Sequence, residues 1–540
     1  MRRAVLEADT AFPLDLRLAG TTLAPEWLSL LFPGCSRRGG EKAAIVAWAG
    51  SPGHSRHRDE ASRRGVPFAA LGPGLLRAPP VGPGPPPILG ICAHEIAGPA
   101  SPLDRLSPQR AAVDRDMLAR ARAGRLALGW QGEDAAFAAS ALAATRYLDP
   151  FRRIPATFEE MLALVLEWRR IEAANRGIAV CVGMSFWKRR RVADFLRSGA
   201  GRPRFRRTVS GATAAARRTG GAIAVWRSRI PAGLEAAAAR HGIPLVRVED
   251  GFVRSVGLGS DFLPPASLVL DARGMYFDPR SKSDLETLLC ETAFDPALVA
   301  RAARLIELLV QRGVTKYNLA GRPPAVAWPR QGRRILVPGQ VEDDLSVVLG
   351  GGAIKSNLAL LAEVRAANPD AFIVYKPHPD VLAGHRRGAV AEAAARRYAD
   401  AVVAGGAAAS LLGLVDEVHT LTSLAGFEAL LRRRRVVVYG TPFYAGWGVT
   451  DDRAAIARGR RLSLEELVAG TLILYPRYLD PVTRLPCGPE VIVERLDRPE
   501  LWRGGALVAA RRLQGAARRW WAGRGWRTPP FAPAGRDGDG

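Results

Sequence analysis

The sequence predicts an α/β protein with two Rossmann-like domains. Two separate runs of short apolar strands and intervening helices support this fold class, one beginning near Ile178 and the other near Ile335. A strand, a helix and a strand at this spacing form a βαβ unit, whose strands lie parallel in one sheet. Because ligands bind such sheets at the carboxyl ends of the strands, we expect a cleft between the two domains.

Each element is predicted from its hydrophobic pattern and from the turn residues beside it. The first run contains strands over 178–182, 222–226 and 244–248 and helices over 231–241 and 296–312. The second run contains strands over 335–337, 371–375, 417–421 and 435–439 and helices over 357–367 and 424–432. The Pro- and Gly-rich stretch 78–102 is predicted to be a loop.

Length and composition exclude several classes of protein. A chain of 540 residues with 48% hydrophobic residues is long enough for two or three domains with cores. It contains no run of about 18 apolar residues, so no transmembrane helix is expected, and Glu7 and Asp9 interrupt any signal-peptide pattern. The five cysteines form no CxxC pair and the seven histidines no cluster, so we expect no metal and no disulfide.

The net charge of +25 is unevenly distributed. Residues 186–207 contain nine Lys or Arg and one acid, and 498–540 contain nine Arg and three acids. Within the second segment, 507–526 is a basic, Trp-bearing stretch typical of a membrane-surface helix or of a solvated terminal helix. Such charge favours an anionic membrane face or an acidic glycan, with an Arg-rich compositional bias as the alternative; we expect no nucleic-acid partner.

An internal repeat relates the first 150 residues to later ones. Arg146-Tyr147-Leu148-Asp149-Pro150 recurs as Arg477-Tyr478-Leu479-Asp480-Pro481. Gly74-Leu75-Leu76-Arg77 parallels Gly251-Phe252-Val253-Arg254 at an offset of 177. At that offset, Gly72-Pro73 stands where the later copy has Glu249-Asp250. The chain is therefore predicted to contain two modules, the first shortened and lacking the acidic pair.

Glu249 and Asp250 follow a predicted strand and so lie at its carboxyl end. Adjacent carboxylates, one acting as nucleophile or base, suit glycosyl transfer, and Arg254 suits an anionic substrate group because guanidinium binds carboxylates bidentately. A salt-bridged structural loop is the alternative interpretation.

Three further segments follow strands of the second run. Lys376 and His378, the latter framed by Pro377 and Pro379, suit a phosphate. Thr422 and Ser423 precede the helix containing Gly426, Phe427 and Glu428, whose N-terminus attracts anions or is simply capped. Phe443, Tyr444 and Trp447 are predicted either to wall a base or sugar or to pack in a loop. Gln340 and Asp344 add polar groups after the first of these strands.

Together these segments resemble the KpsC capsule polysaccharide family. The resemblance rests on EDGFVRSVGLGSDFLPPASLVLD, KYNL, ILVPGQVEDD, VYKPHPDV, VDEVHTLTSLAGFEALL, YGTPFYAGWG and ILYPRYLDP, which occur in the family's order. It covers roughly residues 154–496 and implies a GT-B fold, CMP-Kdo as donor and a lyso-phosphatidylglycerol-type lipid bearing β-Kdo as acceptor. Family members usually carry two transferase modules, whereas in this chain the later module alone carries the full set of motifs.

The resemblance also implies roles and domains. Asp250 would be the nucleophile of a retaining reaction, Glu249 would assist proton transfer or orientation, and Arg254 would meet the Kdo carboxylate or support Asp250. CMP would be held by residues of the second domain: Gln340, Asp344, Lys376, His378, Pro379, Thr422, Ser423, Gly426, Phe427, Glu428, Phe443, Tyr444 and Trp447. The domains would be a degenerate first module (1–150), an acceptor-side domain (151–332), a nucleotide-sugar-binding domain (333–497) and a partly disordered basic tail (498–540).

The implied setting is the cytoplasmic face of the inner membrane, with the capsule assembly and export proteins as partners and no metal or other cofactor. Two other functions fit the same residues. One is another cytidine-nucleotide-dependent glycosyl or alcohol-phosphate transferase. The other is a non-catalytic scaffold of capsule export, which would have no need of the Glu249-Asp250 and Lys376-His378 sets.

Overall fold

The computed structural model describes residues 16–19, 31, 42–49, 51, 53–74, 76, 78–83, 85–99, 144–254, 265–315, 326–382, 384, 386–405 and 408–502. The predicted tail helix, the KYNL segment and most of the loop after Arg254 lie outside these residues. The chain divides into two compact units. Unit 1 comprises Met1–Gly177, Leu196–Arg202 and Thr483–Pro486, and unit 2 comprises Ile178–Phe195, Pro203–Val482 and Cys487–Gly540.

Unit 1 contains a six-stranded sheet in the order β1-β2-β3-β4-β5-β6. Its strands are β1 Leu16–Ala19, β2 Ala44–Trp48, β3 Phe68–Pro73, β4 Gly90–Ala97, β5 Arg146–Leu148 and β6 Pro155–Ala156. The first three are parallel to one another, and the others join antiparallel. Strand β4 corrects the prediction that 78–102 is all loop: an apolar stretch around Ile91 lies behind the prolines and completes the sheet.

Among the described residues of unit 1, two helices accompany this sheet, α1 His54–Arg64 and α2 Phe158–Arg176. Helix α2 begins at a capping box, in which Thr157 and Glu160 each accept the backbone N–H of the other. Its inward face buries Trp168, whose indole N–H donates to the Pro486 carbonyl at 2.7 Å. The helix is thereby fixed at its start and along one face.

Unit 2 contains two sheets. The first has seven strands in the order β19-β18-β11-β10-β9-β7-β8. Its strands are β7 Ile178–Val182, β8 Arg204–Phe205, β9 Ala222–Trp226, β10 Leu245–Asp250, β11 Ser267–Asp271, β18 Arg477–Leu479 and β19 Pro486–Cys487. Strands β8, β7, β9 and β10 are parallel, whereas β11 and β18 join antiparallel.

The second sheet of unit 2 is parallel throughout, in the order β14-β13-β12-β15-β16-β17. Its strands are β12 Arg334–Pro338, β13 Phe372–Lys376, β14 Ala401–Val402, β15 Glu417–Thr420, β16 Arg435–Val438 and β17 Asp451–Asp452. Both sheets belong to the predicted α/β class. Most of their strands match the predicted ranges within two residues.

The helices of unit 2 surround these sheets. They are α3 Arg189–Phe195, α4 Val209–Thr219, α5 Leu234–Arg240, α6 Asp284–Glu291, α7 Pro296–Gln311, α8 Leu345–Gly350, α9 Asn357–Ala367, α10 Pro379–Leu382, α11 Glu392–Ala395, α12 Ala408–Leu412, α13 Leu424–Leu431, α14 Leu464–Val468 and α15 Pro489–Leu496. Helix α7 follows from its sequence: Asp295 caps it, Pro296 opens it, and buried side chains recur at helical spacing up to Leu309.

One hydrophobic cluster contains residues from both sheets of unit 2, among them Val269 of β11 and Leu336 of β12. Tyr475 fixes the connection back to the first sheet, since its hydroxyl donates to the buried carboxylate of Asp271 at 2.8 Å. Among the helices that the structure describes, none combines the length and the apolar character needed to cross a bilayer.

The six strands of the unit 1 sheet have the order and orientation of six strands of the first sheet of unit 2, which has β8 in addition. The register also matches around the ends of β3 and β10, beyond a bulge at Ala70/Leu71. In unit 2, Asp250 lies opposite Leu268, which lies opposite Arg477. In unit 1, Pro73 lies opposite Ile91, which lies opposite Arg146. Pro73 and Asp250 are 177 positions apart, and so are Ile91 and Leu268. This is the offset found in the sequence.

Unit 1 has no acid at either of these two positions. Gly72 occupies the register of Glu249, and Pro73 that of Asp250. A Cβ added at Gly72 would lie only 2.6 Å from Nε2 of His94. The imidazole of His94 therefore fills the space that a side chain at position 72 would need.

Candidate active site

The candidate site begins at the carboxyl ends of β7, β9 and β10, which meet at one edge of the first sheet of unit 2. Asp250 is the last residue of β10, and Trp226 is the last of β9. Lys188 follows β7 after a short loop and immediately precedes α3. Parallel strands bring these three side chains together although they are distant in the sequence.

Lys188 and Asp250 form a buried ion pair. The Lys188 ammonium donates to Oδ1 of Asp250 at 2.9 Å and to Oδ2 at 3.0 Å. The same ammonium lies 3.7 Å from the ring centroid of Trp226 and 5.1 Å from that of Trp187. Burial lowers the pKa of Lys188, and Asp250 opposes that shift by favouring the charged ammonium.

Arg254 brings a second cation to Asp250. Its Nε lies 3.0 Å from Oδ2 of Asp250, and the arginine is only 5% exposed. The Nε–H is not directed well enough to form a hydrogen bond, so this contact is an ion pair without one. Arg254 therefore lies beside Asp250, and both roles considered from the sequence stay predictions.

Glu249 differs in environment from its neighbour. Its Oε1 accepts the backbone N–H of Asp250 at 3.3 Å, and its buried Oε2 has no hydrogen-bond partner within the described part of the chain. Burial first, and then the negative charge of Asp250, raise the pKa of Glu249 to about 7. With this pKa, the Glu249 carboxyl is suited to proton transfer near neutral pH.

The backbone after β10 is packed closely against β11. A Cβ on Gly251 would lie 2.3 Å from Oγ of Ser267, and that hydroxyl donates to the Val253 carbonyl at 2.5 Å. Ser267 therefore shapes the turn that carries Arg254 toward Asp250. The rest of this motif, residues 255–264, lies outside the described residues.

In the second sheet, Gln340 connects the ends of β12 and β15. Its Nε2 donates to Oγ1 of Thr422 at 2.9 Å, and its Oε1 accepts from Oγ1 of Thr420 and from the N–H of Thr422. Its backbone N–H donates to Oδ1 of Asn357 at 2.8 Å. Gln340, predicted as a ligand contact, is 5% exposed and acts here as an internal brace.

Lys376 and His378 lie at the carboxyl end of β13, as predicted. The Lys376 ammonium donates to the Gly405 carbonyl at 2.9 Å, and burial lowers its pKa. Nδ1 of His378 accepts the N–H of Asp380 at 3.2 Å, which leaves Nε2 to carry the proton of the neutral ring. Pro379 opens α10 directly after this histidine.

Thr422 and Ser423 lie at the N-terminus of α13. Ser423 is the N-cap and accepts the N–H of Ala425 at 3.2 Å. A Cβ on Gly426 would lie 2.3 Å from the hydroxyl of Tyr444, which donates to the Ser423 carbonyl at 2.6 Å. This packing fixes the helix start, where backbone N–H groups and the helix dipole favour an anion.

The aromatic residues proposed from the sequence as ligand contacts are buried. Phe427, Phe443, Tyr444 and Trp447 all belong to the hydrophobic cluster shared by the two sheets, and none is more than 7% exposed. The last three pack in a loop, which is the alternative interpretation considered from the sequence, and their contact with a base or sugar stays a prediction. Glu428, also predicted as a ligand contact, is 7% exposed on α13.

Asp344 also lies near the carboxyl edge of the second sheet, after β12. Asp344 caps α8, accepting the N–H of Ser346 at 3.0 Å and its hydroxyl at 2.8 Å. The described residues contain no group of three or more His, Cys, Asp or Glu side chains able to hold a metal ion. At this edge, Lys376, His378 and the N-terminus of α13 carry the groups whose chemistry suits an anion.

Three positioning side chains were missed by the sequence analysis: Lys188, Trp226 and Ser267. Lys188 was recognised only as one charge in a basic stretch, and its signal, a lysine directly after an aromatic residue beyond a strand, is weak. Chemically, a carboxylate held by two cations, beside a carboxyl group whose pKa is raised by burial, can act as a nucleophile next to a proton acceptor.

Comparison with known proteins identifies relatives concerned with capsule polysaccharide and lipopolysaccharide. Residues 221–478 match the family described as "Capsule polysaccharide biosynthesis protein". The chain is 42% identical over 366 residues to the capsule polysaccharide modification protein LipA of Neisseria meningitidis serogroup A, covering 67% of this chain and 51% of LipA. It is 46% identical over 245 residues to the lipopolysaccharide-processing protein LpsZ of Rhizobium meliloti, covering 45% of this chain and 56% of LpsZ.

A solved structure extends this result. The β-Kdo 2,4 transferase of Thermosulfurimonas dismutans KpsC is 30% identical, with a TM-score of 0.51, and the match covers 59% of this chain and 98% of that one. The chain spans about half the length of the curated relatives it matches. By contrast, it contains a counterpart for almost all of that single transferase.

Proposed function

The chain belongs to the KpsC family of capsule polysaccharide biosynthesis proteins, and from this premise we propose that it is a retaining β-Kdo transferase using CMP-Kdo. The observation that carries the proposal is the carboxylate of Asp250, held at a strand end by Lys188 and Arg254. The Kdo transferase activity of the matched KpsC structure supports the donor sugar. The acceptor would be a Kdo-bearing lipid of the lyso-phosphatidylglycerol type.

The reaction would proceed in two steps. Asp250 attacks the anomeric carbon of Kdo, the bond from that carbon to the phosphate oxygen breaks, and CMP leaves with the electron pair. An acceptor hydroxyl then attacks the same carbon, and the carboxylate of Asp250 departs. Glu249 takes the hydroxyl proton, for which a pKa of about 7 is suitable. Two inversions give net retention.

CMP would lie at the edge of the second sheet, completing a GT-B arrangement of two Rossmann-like domains. The charge of Lys376, the Nε2–H of His378 and the N-terminus of α13 would bind its phosphate, and the proposal includes no metal or other cofactor. Gln340 and Asp344 would act by supporting these loops rather than by contact with the nucleotide.

We also propose that unit 1 derives from a duplicated module that has lost its nucleotide-binding half. Shared order and register of the two sheets support this origin. Residues 98–145 connect β4 to β5, whereas 272–476 connect β11 to β18. The former is about a quarter as long, too short for a second six-stranded sheet. One active site is therefore expected in this chain.

The proposed setting is the cytoplasmic face of the inner membrane, alongside capsule assembly and export proteins. The excess of arginine and lysine over 186–207 supports attraction to an anionic surface. The same charge suits an acceptor that carries sugar carboxylates.

A transfer assay tests the function. Purified protein is mixed with CMP-Kdo generated in situ and a synthetic Kdo-bearing lipid, in parallel with Asp250→Ala. Product from the wild type and none from a folded variant is expected. Equal product from both would contradict the assignment of Asp250. Absence of product from a wild type that binds CMP would favour another cytidine-nucleotide donor, and absence of CMP binding would favour a scaffold.

A further inference from the structure

Lys188 is held more firmly than a surface lysine. Its backbone N–H donates to the Ser185 carbonyl at 3.0 Å, and its carbonyl accepts the N–H of Val192 at 2.9 Å. The loop before it turns at Gly183, with φ of 74°, where an added Cβ would lie 2.6 Å from the Arg229 carbonyl. The backbone is therefore fixed on both sides of the lysine.

The side chain is fixed as well. Its ammonium lies over the face of Trp226 while it reaches both oxygens of Asp250. A lysine otherwise loses considerable rotamer freedom when it is ordered, and contact with an aromatic face offsets part of that loss. Buried charges are retained in proteins only where they are paired in this way.

The two cations at Asp250 contribute differently. Lys188 supplies hydrogen bonds to both carboxylate oxygens, whereas Arg254 supplies charge without a well-directed hydrogen bond from Nε. Charge-assisted hydrogen bonds are about twice as strong as neutral ones. Removal of Lys188 should therefore alter the orientation of the Asp250 carboxylate and weaken the stabilisation of its negative charge.

We propose that Lys188 is a positioning residue that governs the release of Asp250 from the glycosylated enzyme. This inference rests on the proposed function, because it concerns the second step of that reaction. In the first step Asp250 loses its negative charge as its oxygen bonds to the anomeric carbon. In the second step that bond breaks and the electron pair returns to the carboxylate beside the Lys188 ammonium.

The direction of the effect follows from this change of charge. A cation beside Asp250 stabilises the free carboxylate relative to the uncharged ester. Loss of the cation therefore favours the covalent intermediate and slows its breakdown more than its formation. A residue with a merely structural role would slow both steps together or lower stability.

The test uses Lys188→Met, with Lys188→Arg as the conservative variant and Arg218→Met as the control. Arg218 is exposed on α4 and lies outside the basic stretch 186–207. Reaction with CMP-Kdo and acceptor is quenched at short times and followed by intact-protein mass spectrometry. We expect Lys188→Met to accumulate the glycosylated enzyme at least tenfold over wild type, Lys188→Arg to do so less, and Arg218→Met not at all.

A second measurement needs no substrate. The Asp250 carboxyl is titrated by NMR in protein labelled at aspartate carboxyl carbons, with Asp250→Asn to assign its signal. In Lys188→Met we expect it to titrate about one pH unit or more higher than in wild type, because an opposite charge has been removed. This readout also checks that the variant is folded.

The outcomes separate the two proposals. Transfer by the wild type with neither accumulation nor a titration shift in Lys188→Met overturns the role of Lys188 and leaves the transferase standing. If the wild type gives neither transfer nor adduct but the titration of Asp250 shifts in Lys188→Met, the coupling of Lys188 to Asp250 is supported. The same result contradicts the proposal that CMP-Kdo is the donor. If both the transfer and the titration shift are absent, both proposals are overturned. If Lys188→Met does not fold, Trp226→Phe and Lys188→Arg are judged by the same two readouts.

Discussion

The ring of Phe252 lies 4.8 Å from the ring of Phe443. Phe252 follows the acidic pair at the end of β10, and Phe443 follows β16 of the other sheet. Phe443 in turn contacts Phe427 of α13 at 5.3 Å. A continuous aromatic contact therefore joins the edge that carries Asp250 to the helix start proposed to bind phosphate.

Phe443→Ala should therefore weaken the protein as a whole. Removing a buried phenyl group costs about 3–5 kcal/mol of unfolding free energy through lost burial and the resulting cavity. Denaturant unfolding measures the loss, with Phe186→Ala, whose side chain is 65% exposed, as a control expected to change stability by about 0.5 kcal/mol or less. If Phe443→Ala lost no more unfolding free energy than this control is expected to lose, the aromatic contact would not be needed for stability.

Gly251→Ala should destabilise the turn after the acidic pair. The new methyl group would meet Ser267, and such overpacking costs about 1–3 kcal/mol. Ser267→Gly should relieve part of that cost, since unit 1 has Gly90 at the equivalent register. Thermal unfolding of both single variants and the double variant measures the coupling; strictly additive losses would exclude the proposed clash.

Glu249→Gln should change the pH dependence of transfer. A base with a pKa of about 7 must be ionised to accept a proton, so the rate of the second step should rise through pH 7 and then level off. Glutamine cannot ionise, so this limb should vanish and the rate should fall by about 10²–10⁴. Single-turnover rates between pH 5.5 and 8.5 (a range of about 1.5 units on either side of the pKa) measure it. An unchanged limb in the variant would assign the proton transfer elsewhere.

His419→Gln should reduce the loss of stability in acid. His419 is buried, with Nε2 at 3.0 Å from Glu417 and Nδ1 at 3.2 Å from the Tyr439 hydroxyl, and burial lowers its pKa. The folded state therefore resists its protonation, and stability present above pH 6.5 is lost as the pH falls below it. The stability difference between wild type and variant should shrink from pH 8 to about pH 5.5. A constant difference would show that His419 does not titrate in this range.

The sequence was sufficient to locate the main parallel strands of unit 2, whereas the short or antiparallel strands β8, β11, β14, β17, β18 and β19 were not predicted. Ile178–Val182 and Ala222–Trp226 have the predicted bounds, because apolar runs between turn residues mark buried parallel strands. Strand β10 extends to Asp250, beyond the predicted end at 248, because β11 pairs with both acids. That pairing depends on a strand later in the chain, which local pattern does not reveal.

The surroundings of the candidate site were less predictable. Lys188 and Asp250 are 62 residues apart, and no local signal marks them as partners. Phe443, Tyr444 and Trp447 lie in a Gly- and Pro-rich loop that suggests exposure, yet they are buried because the loop packs against α13 and Phe252. Side chains that depend on tertiary contacts are those for which sequence patterns are weakest.

The imidazole of His94 lies over Gly72, at the register where the later sheet carries Glu249. Under the duplication proposed above, glutamate at position 72 would require this exposed histidine to rotate away, and aspartate at 73 would require replacement of a proline. Rebuilding the acidic pair in unit 1 would therefore take two substitutions and one side-chain rearrangement, and neither acid alone would recreate the pair.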